Sequence, residues 1–394
     1  MRIESKAVHA GDRKRKPGEW VPVTTPIHTA TSYFYDDVEQ LDRVFAFEEQ
    51  GYCYARYENP TNAALQELVA ALENGAGALA CGSGMAALHT AILAALADRR
   101  RSIVAGSALY GATIKLLLNV LEPSGVAVRF ADMCDLAAFR QAVEEARPGC
   151  VLIETVSNPV LRVAEVDRIA EIAREAGAAL IVDNTFATPL LLRPLELGAS
   201  FSVHSATKFL AGHGDVLGGV IVADGDHYGP LGALARTIGP ALGPFEAYMA
   251  MRGIKTLPLR FERQCANACR VAARLAAHPR VAKVHFPGDP AHPDAAAIRR
   301  LFAPGLYGAM LAFEICGAAR EEVFRFMNAL RMVVPATSLG DVHTMALYPV
   351  MSSHRDVAPR QRERMGIGEN LVRLSVGIEA AEDIIEDLEA AFAA

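Results

Sequence analysis

Three side chains within four residues, Ser205, Thr207 and Lys208, are the first candidates for chemistry in this sequence. They follow the short apolar run F-S-V-H and precede a loop of small residues, L-A-G-H-G-D-V-L-G-G, at 210–219. The flanks predict an interior position, and a lysine is seldom buried without a partner or a use. A desolvated amine beside hydroxyls suits a Schiff-base lysine whose neighbours hold an anionic group. The plain alternative is a lysine at a loop mouth with its head in water. Seven lysines among 39 basic residues make one in an apolar context less a matter of chance.

Other candidates follow other apolar runs. Gly82-Ser83-Gly84-Met85 would expose backbone N–H groups at a helix N-terminus, an anion cradle. Leu109-Tyr110-Gly111 offers an aromatic ring, Glu154 and Asn158 a buried acid and an amide, and Asp183 with Asn184 a second acid and amide. Each also has an ordinary use: turn glycines, a core tyrosine, or helix-capping residues. What joins them is the position they share, each just past an apolar run.

The elements that must carry them are legible from residue 59 onward. Helical periodicity at 62–73, 84–97, 112–121, 136–146 and 166–176 alternates with apolar runs at 77–81, 102–105, 126–130, 150–154 and 179–183; Val203 and 216–222 complete the series. Fully apolar strands separated by amphipathic helices predict an α/β fold, a mostly parallel sheet covered on both faces. Ligands in such sheets gather at the carboxyl ends of the strands, where all the candidates fall. Three divisions are expected. Residues 1–58 read as an extended, aromatic arm needing a neighbouring subunit to pack on. Residues 59–243 form the large domain, and residues 244–394 a smaller α/β domain opened by one long helical stretch to about 277.

Composition narrows the function. With 394 residues, 52% of them apolar, the chain can bury a substantial core. A net charge of -6, with only the small basic clusters Arg13-Lys14-Arg15-Lys16 and Arg99-Arg100-Arg101, argues against nucleic acid or an anionic membrane as the main partner. Seven scattered cysteines read as reduced thiols; Cys265 and Cys269 lack a second pair at ligand spacing, so no metal site is expected. The N-terminus has no apolar run, and the uncharged stretch at 74–97 is broken by Gly82-Ser83-Gly84, so a soluble, cytoplasmic protein is expected.

A rival enzyme class is testable on the sequence. Residues 82–87 also satisfy G-x-G-x-x-A, the dinucleotide-binding pattern, but the next strand ends in Gly106-Ser107-Ala108, with no acid for a ribose. A nucleotide-binding oxidoreductase therefore ranks below Schiff-base chemistry. A non-catalytic anion-binding module ranks lower still, because it leaves Asp183 and Lys208 without a purpose.

Taken together, the motifs resemble the Cys/Met-metabolism family of pyridoxal-phosphate (PLP) enzymes, the group of methionine γ-lyase, cystathionine γ-lyase, cystathionine γ-synthase and O-acetylhomoserine sulfhydrylase. The resemblance runs through Y-A-R at 54–56, N-P-T at 59–61, S-G-M at 83–85, L-Y-G at 109–111, D-N-T at 183–185, S-A-T-K at 205–208, G-H-G-D at 212–215, S-L-G-D at 338–341 and V-R-L-S-V-G-I-E at 372–379. It implies PLP-dependent transferase fold type I, aspartate aminotransferase-like, with a seven-stranded sheet. It further implies that Lys208 carries PLP as a Schiff base, Asp183 pairs with the pyridine nitrogen, and Tyr110 stacks on the ring. Gly84, Met85, Ser205 and Thr207 would bind the phosphate. Tyr54 and Arg56 would reach the phosphate of a neighbouring subunit in a homotetramer, a dimer of active dimers. Asn158, Ser338 and Arg373 would receive the substrate carboxylate.

Within the family, cystathionine-cleaving members commonly carry glutamates where this chain has Cys53 and Thr337. Their absence favours an uncharged distal group, and γ-elimination of L-methionine to 2-oxobutanoate, ammonia and methanethiol is the expected reaction. Ala112, where methionine γ-lyases usually have cysteine, and Lys115 point the other way, toward a cystathionine enzyme or an O-acetyl- or O-succinylhomoserine sulfhydrylase.

Overall fold

The computed structural model describes residues 1–13, 20–97, 100–355, 357 and 359–394. Lys14, Arg15, Lys16, Pro17 and Arg99 lie outside the described residues. Among those described, seven strands form the main sheet: β1 (Gly77–Cys81), β2 (Ser102–Gly106), β3 (Ala127–Ala131), β4 (Cys150–Glu154), β5 (Ala179–Asp183), β6 (Phe201–Ser205) and β7 (Gly219–Ala223). Their order is β1-β7-β6-β5-β4-β2-β3, and β7 alone runs against its neighbours. The expected α/β class and the mostly parallel seven-stranded sheet are what the structure has.

Alternation along each strand serves both faces. Val151, Leu180, Val182 and Val222 pack with Leu65 and Leu68 of the helix Pro60–Glu73 on one side. Leu152, Ile181, Val203 and Ile221 pack with Leu88 and Ile92 of the helix Gly84–Leu96 on the other. Each such side chain, fully buried, contributes about 1.5–3 kcal/mol. The helix Pro60–Glu73 starts where Asn59 accepts from the Thr61 and Asn62 N–H groups, with Pro60 at its first position. It stops at Asn74, in left-handed conformation.

Four local expectations are corrected. The arm is not wholly extended: it holds helices at Ile3–His9 and Val38–Phe45. Val38, Leu41, Val44 and Phe45 do fall at helical spacing, a short amphipathic stripe that the reading of the arm as extended passed over, although Val44 alone of them is buried. The stretch 112–121 is an α-helix, Gly111–Leu116, running into a π-helical turn at Leu117–Leu121. The long helix expected from 244 is two, Pro244–Ile254 and Leu257–Ala276, because Pro258 has no N–H to continue the first and suits the opening turn of the second. The last strand of the main sheet also begins later than 216, since Thr207 Oγ1 binds both the N–H and the carbonyl of Gly218 and keeps 216–218 in the loop.

A second sheet orders β10 (Val334–Pro335), β11 (Met345–Leu347), β12 (Leu371–Ser375), β9 (Met310–Ile315) and β8 (Val281–His285). The helices Leu257–Ala276, Arg320–Ala329 and Ala381–Ala393 share its apolar core. This sheet matters for function because β12 carries Arg373. No helix among the described residues is long and apolar enough to cross a membrane.

Candidate active site

The site is assembled where β1, β2, β4, β5 and β6 end. After β1, Ser83 caps the helix Gly84–Leu96 by accepting from the Ala86 N–H at 3.0 Å. The Gly84 and Met85 N–H groups therefore stand at the free, electropositive end of a helix of 13 residues. A Cβ on Gly84 would fall 2.8 Å from the Ser205 Cβ, and one on Gly219 would fall 2.2 Å from the Ser83 carbonyl oxygen. Only bare glycines let this turn settle onto the ends of β6 and β7, so that its N–H groups and the Ser205 hydroxyl border one small volume.

The Lys208 amine, half-buried, donates to Ser338 Oγ at 3.0 Å. Burial, and secondarily the Arg373 guanidinium, pull its pKa below the ordinary lysine value. Its backbone is fixed in turn: the Lys208 N–H donates to the Ser205 carbonyl and the Gly212 N–H to the Lys208 carbonyl. Behind it, Arg260 donates to the Phe209, Leu210 and Gly253 carbonyls at 3.1, 3.3 and 2.8 Å.

Asp183 closes β5. Its Oδ1 accepts from the Thr185 N–H at 3.0 Å and the Thr185 hydroxyl at 2.6 Å. Burial raises its pKa, and the Thr185 hydrogen bonds oppose that rise. Glu154 is its register partner on β4. Burial and the facing Asp183 push the Glu154 carboxyl well above the usual carboxylate range. Its Oε1 takes the Tyr110 N–H at 2.6 Å, which anchors the aromatic residue at the N-terminus of the helix Gly111–Leu116.

Asn158, Ser338 and Arg373, far apart in sequence, meet. Arg373 donates to Asn158 Oδ1 at 2.9 Å and to the Ser338 carbonyl at 3.1 Å, while its Nε, buried, has no partner among the described residues. Burial lowers the guanidinium to about 10, so it remains a cation at neutral pH. Tyr54 and Arg56 stand apart from this group. The Arg56 guanidinium lies over the Tyr54 and Tyr57 rings, 5.7 and 4.9 Å from their centroids, and donates to the Arg236 carbonyl. Cys53 is buried, whereas Thr337 and Lys115 are exposed.

Sequence reasoning missed two members. Arg260 was hidden in a helical run, although an arginine on its apolar face is the available signal. His354 had none: fully buried, it shares Nδ1 with the Ser353 hydroxyl at 2.9 Å, and burial with the nearby Arg373 lowers it to about 4, so it is neutral at pH 7. Glu154 was visible as a strand-end acid, but its hold on Tyr110 was not.

The residues present fit PLP: a glycine-lined helix end with two hydroxyls for a phosphate, a buried acid for a ring nitrogen, and an amine of lowered basicity for an aldehyde. The comparisons agree. The family described as Cys/Met metabolism PLP-dependent enzyme matches residues 4–393. The chain is 40% identical over 392 residues to an L-methionine gamma-lyase of Treponema denticola, covering 98% of this chain and 96% of that one. It is 39% identical over 396 residues to an L-methionine gamma-lyase of Pseudomonas putida, covering 99% and 97%. The crystal structure of cystathionine gamma synthase from Xanthomonas oryzae pv. oryzae, in complex with aminoacrylate and cysteine, superposes with a TM-score of 0.92 at 34% identity, covering 100% and 98%. With the fold type I sheet, the lysine at its edge and a match over nearly every residue, the chain belongs to the Cys/Met metabolism family of PLP-dependent enzymes.

Proposed function

We propose that this enzyme eliminates the γ-substituent of a sulfur amino acid, with L-methionine its preferred substrate, releasing 2-oxobutanoate, ammonia and methanethiol. The observation that carries the reading is the Arg373 clamp, taken with the uncharged Cys53 and Thr337 at the positions where cystathionine-cleaving members commonly carry glutamates. The identity to two L-methionine gamma-lyases supports it.

PLP supplies, when bound, an electron-withdrawing ring that makes the substrate's Cα–H acidic. Gly84 and Met85 N–H groups with the Ser205 and Thr207 hydroxyls would hold its phosphate, Asp183 its ring nitrogen, Lys208 its aldehyde carbon and Tyr110 its ring face. Arg373, oriented by Asn158 and Ser338, would take the substrate carboxylate through two parallel hydrogen bonds; its unpartnered Nε is in keeping with a ligand there. The leaving sulfur sits on Cγ, two carbons beyond Cα, the first site of proton loss, so protons must leave both Cα and Cβ. Lys208 suits both tasks, having a flexible stem and an amine whose burial leaves more of it neutral. Tyr110, held by Glu154 through its backbone, would donate the proton to the departing sulfur.

The arm, residues 1–58, would serve a neighbour: Tyr54 and Arg56 are exposed, and their contacts described above lie away from Lys208. Trp20, Phe34, Phe245 and Leu259 are also exposed apolar residues, which suits a homotetramer built from active dimers. Residues 59–243 would bind PLP, and 244–394 the substrate carboxylate. Seven cysteines, none in a disulfide among the described residues, suit a reducing compartment such as the cytoplasm.

A second reading, γ-replacement, is favoured by Ala112 at a position where methionine γ-lyases usually have cysteine. One experiment separates the two. Purified enzyme is given methionine, cystathionine, or O-acetylhomoserine with sulfide, and 2-oxo acid and new thiol or thioether are measured separately. Rapid 2-oxobutanoate from methionine is expected; no turnover of methionine beside fast homocysteine formation from the ester would sink it.

A further inference from the structure

The arm is fastened to its own subunit before it reaches its exposed end. Gly11, at φ +79°, lies so close to the helix Pro60–Glu73 that a Cβ there would fall 2.2 Å from the Ala64 carbonyl oxygen. The next residue, Asp12, has a side chain only 3% exposed, and three donors meet on its carboxylate. Its Oδ1 accepts from the Thr25 N–H at 3.1 Å and the Thr25 hydroxyl at 2.7 Å, and its Oδ2 accepts from the Lys255 amine. Lys255 caps the C-terminus of the helix Pro244–Ile254, where a cation is favoured. Burial alone would raise the Asp12 pKa; the Lys255 and Thr25 hydrogen bonds outweigh it and hold the carboxyl below its usual value.

Between Thr25 and Tyr54 the attachments continue. Thr61 Oγ1 donates to the Pro26 carbonyl and accepts the His28 N–H, both at 2.9 Å, and Asn59 Nδ2 donates to the His28 carbonyl at 2.8 Å. Further on, residues 31–33 pair antiparallel with 53–55. The Ala55 N–H donates to the Thr31 carbonyl at 2.7 Å, the Tyr33 N–H donates to the Cys53 carbonyl at 3.2 Å, and Ser32 bridges Tyr54. Attachment at Thr61 and Asn59 alone would leave 25–33 free to swing about one helix end. The Asp12–Lys255 pair adds a second point on a different helix, and two points fix a direction. The pair is not needed merely to secure the terminus: Ala7 already packs with Leu65 and Leu68, and Lys6 donates to the Ala71 carbonyl at 2.9 Å.

We propose that Asp12 and Lys255 are positioning residues for the neighbouring subunit's site: their ion pair fixes the line of 25–33 and so aims Tyr54, which that segment carries by strand pairing, and Arg56 beside it. The proposal rests on the reading of Tyr54 and Arg56 as groups that reach a neighbour's phosphate. Both are exposed in their own chain, so the effect of the clamp should be felt across the interface.

The test uses PLP-loaded hybrids. A tagged chain that keeps Lys208 is co-expressed with an excess of untagged Lys208→Ala chain, so nearly every Lys208-bearing site is served by an arm of the other kind. Purified hybrids are dialysed against falling PLP concentrations, and the visible cofactor band, given only by chains with Lys208, reads occupancy; sedimentation checks that the assembly is intact. Asp12→Asn in the Lys208→Ala chain should weaken PLP binding at its neighbour about tenfold, the lower end of what one charged hydrogen bond is worth. The same substitution in the tagged chain should leave that binding as it was. Lys255→Met follows the same pattern and stands in should Asp12→Asn not fold. A loss that follows the tagged chain, equal losses from either chain, or no loss overturns the proposal. Arg56→Ala in the Lys208→Ala chain tests the reading beneath it. If that change weakens binding and the Asp12 change does not, the clamp is wrong and the arm reading stands; if neither does, both fall.

Discussion

The two ends of the site are built on different principles. The end proposed for the phosphate, around Gly84 and Ser205, is a matter of backbone: a helix terminus, two glycines that admit close approach, and hydroxyls on a tight turn. The end proposed for the carboxylate, around Arg373, is a matter of charge: a buried cation brought by the second sheet to an amide that follows β4. One end would recognise a ligand by shape held in place by local sequence. The other would recognise by a charge that only tertiary packing can deliver.

Between the two ends, Lys208 serves both. Lys208→Ala should lower turnover by at least about 10³-fold, within the range for losing a nucleophile that is also the proton carrier. Loss of the visible cofactor band checks the assignment, and a variant that kept band and rate would break it.

At the carboxylate end, Arg373→Ala should raise KM for the amino acid by about 10²-fold, as truncating one partner of a buried charge pair costs about 2–5 kcal/mol. Cofactor affinity should hold, and Arg373→Lys should restore little because it lacks the planar fork. At the phosphate end the pattern should invert. Gly84→Ala should weaken PLP binding about tenfold, in the usual 1–3 kcal/mol range for overpacking, and leave KM for the amino acid nearly unchanged once the enzyme is saturated with cofactor. Titration with PLP followed by steady-state kinetics reads both. If each variant moved both constants alike, the two ends would not be separable.

An effect on stability rather than turnover sharpens the charge side. His354 has a folded pKa of about 4 against 6.5 unfolded, so the unfolded chain binds the proton more readily between these values. The sign follows: stability is lost as pH falls from about 6.5 to about 4, by about 3 kcal/mol at most. His354→Gln should remove this share of the acid limb, measured as the difference between variant and parent in denaturant unfolding across that range. An unchanged limb would place the acid sensitivity elsewhere.

The same contrast explains what could be read from the sequence. The alternation of helix and strand from 59 to 223, and with it the cradle of Gly84, Ser205, Thr207, Lys208 and Asp183, was legible because each of those residues lies just past an apolar run. The carboxylate group was reached only through family resemblance, since Asn158 and Arg373 are 215 residues apart and no local pattern joins them. Arg260 left one signal, an arginine on the apolar face of a helix, and His354 left none, since the burial and the Arg373 charge that set its state come from other parts of the chain. The helix Val38–Phe45 escaped for a different reason: its stripe of Val38, Leu41, Val44 and Phe45 spans only two turns inside an arm rich in turn residues.

The paired glycines at 84 and 219 bear on how such an enzyme can change. At either position any added side-chain carbon meets the chain of another segment, at 2.8 Å for Gly84 and 2.2 Å for Gly219. Libraries randomised there should return glycine. On the proposed reading, Cys53, Ala112, Lys115 and Thr337 would be the place to seek new substrates. The fold thus permits drift in what is cleaved while holding fixed the means of cleaving it, and a directed-evolution campaign would find its freedom at the rim.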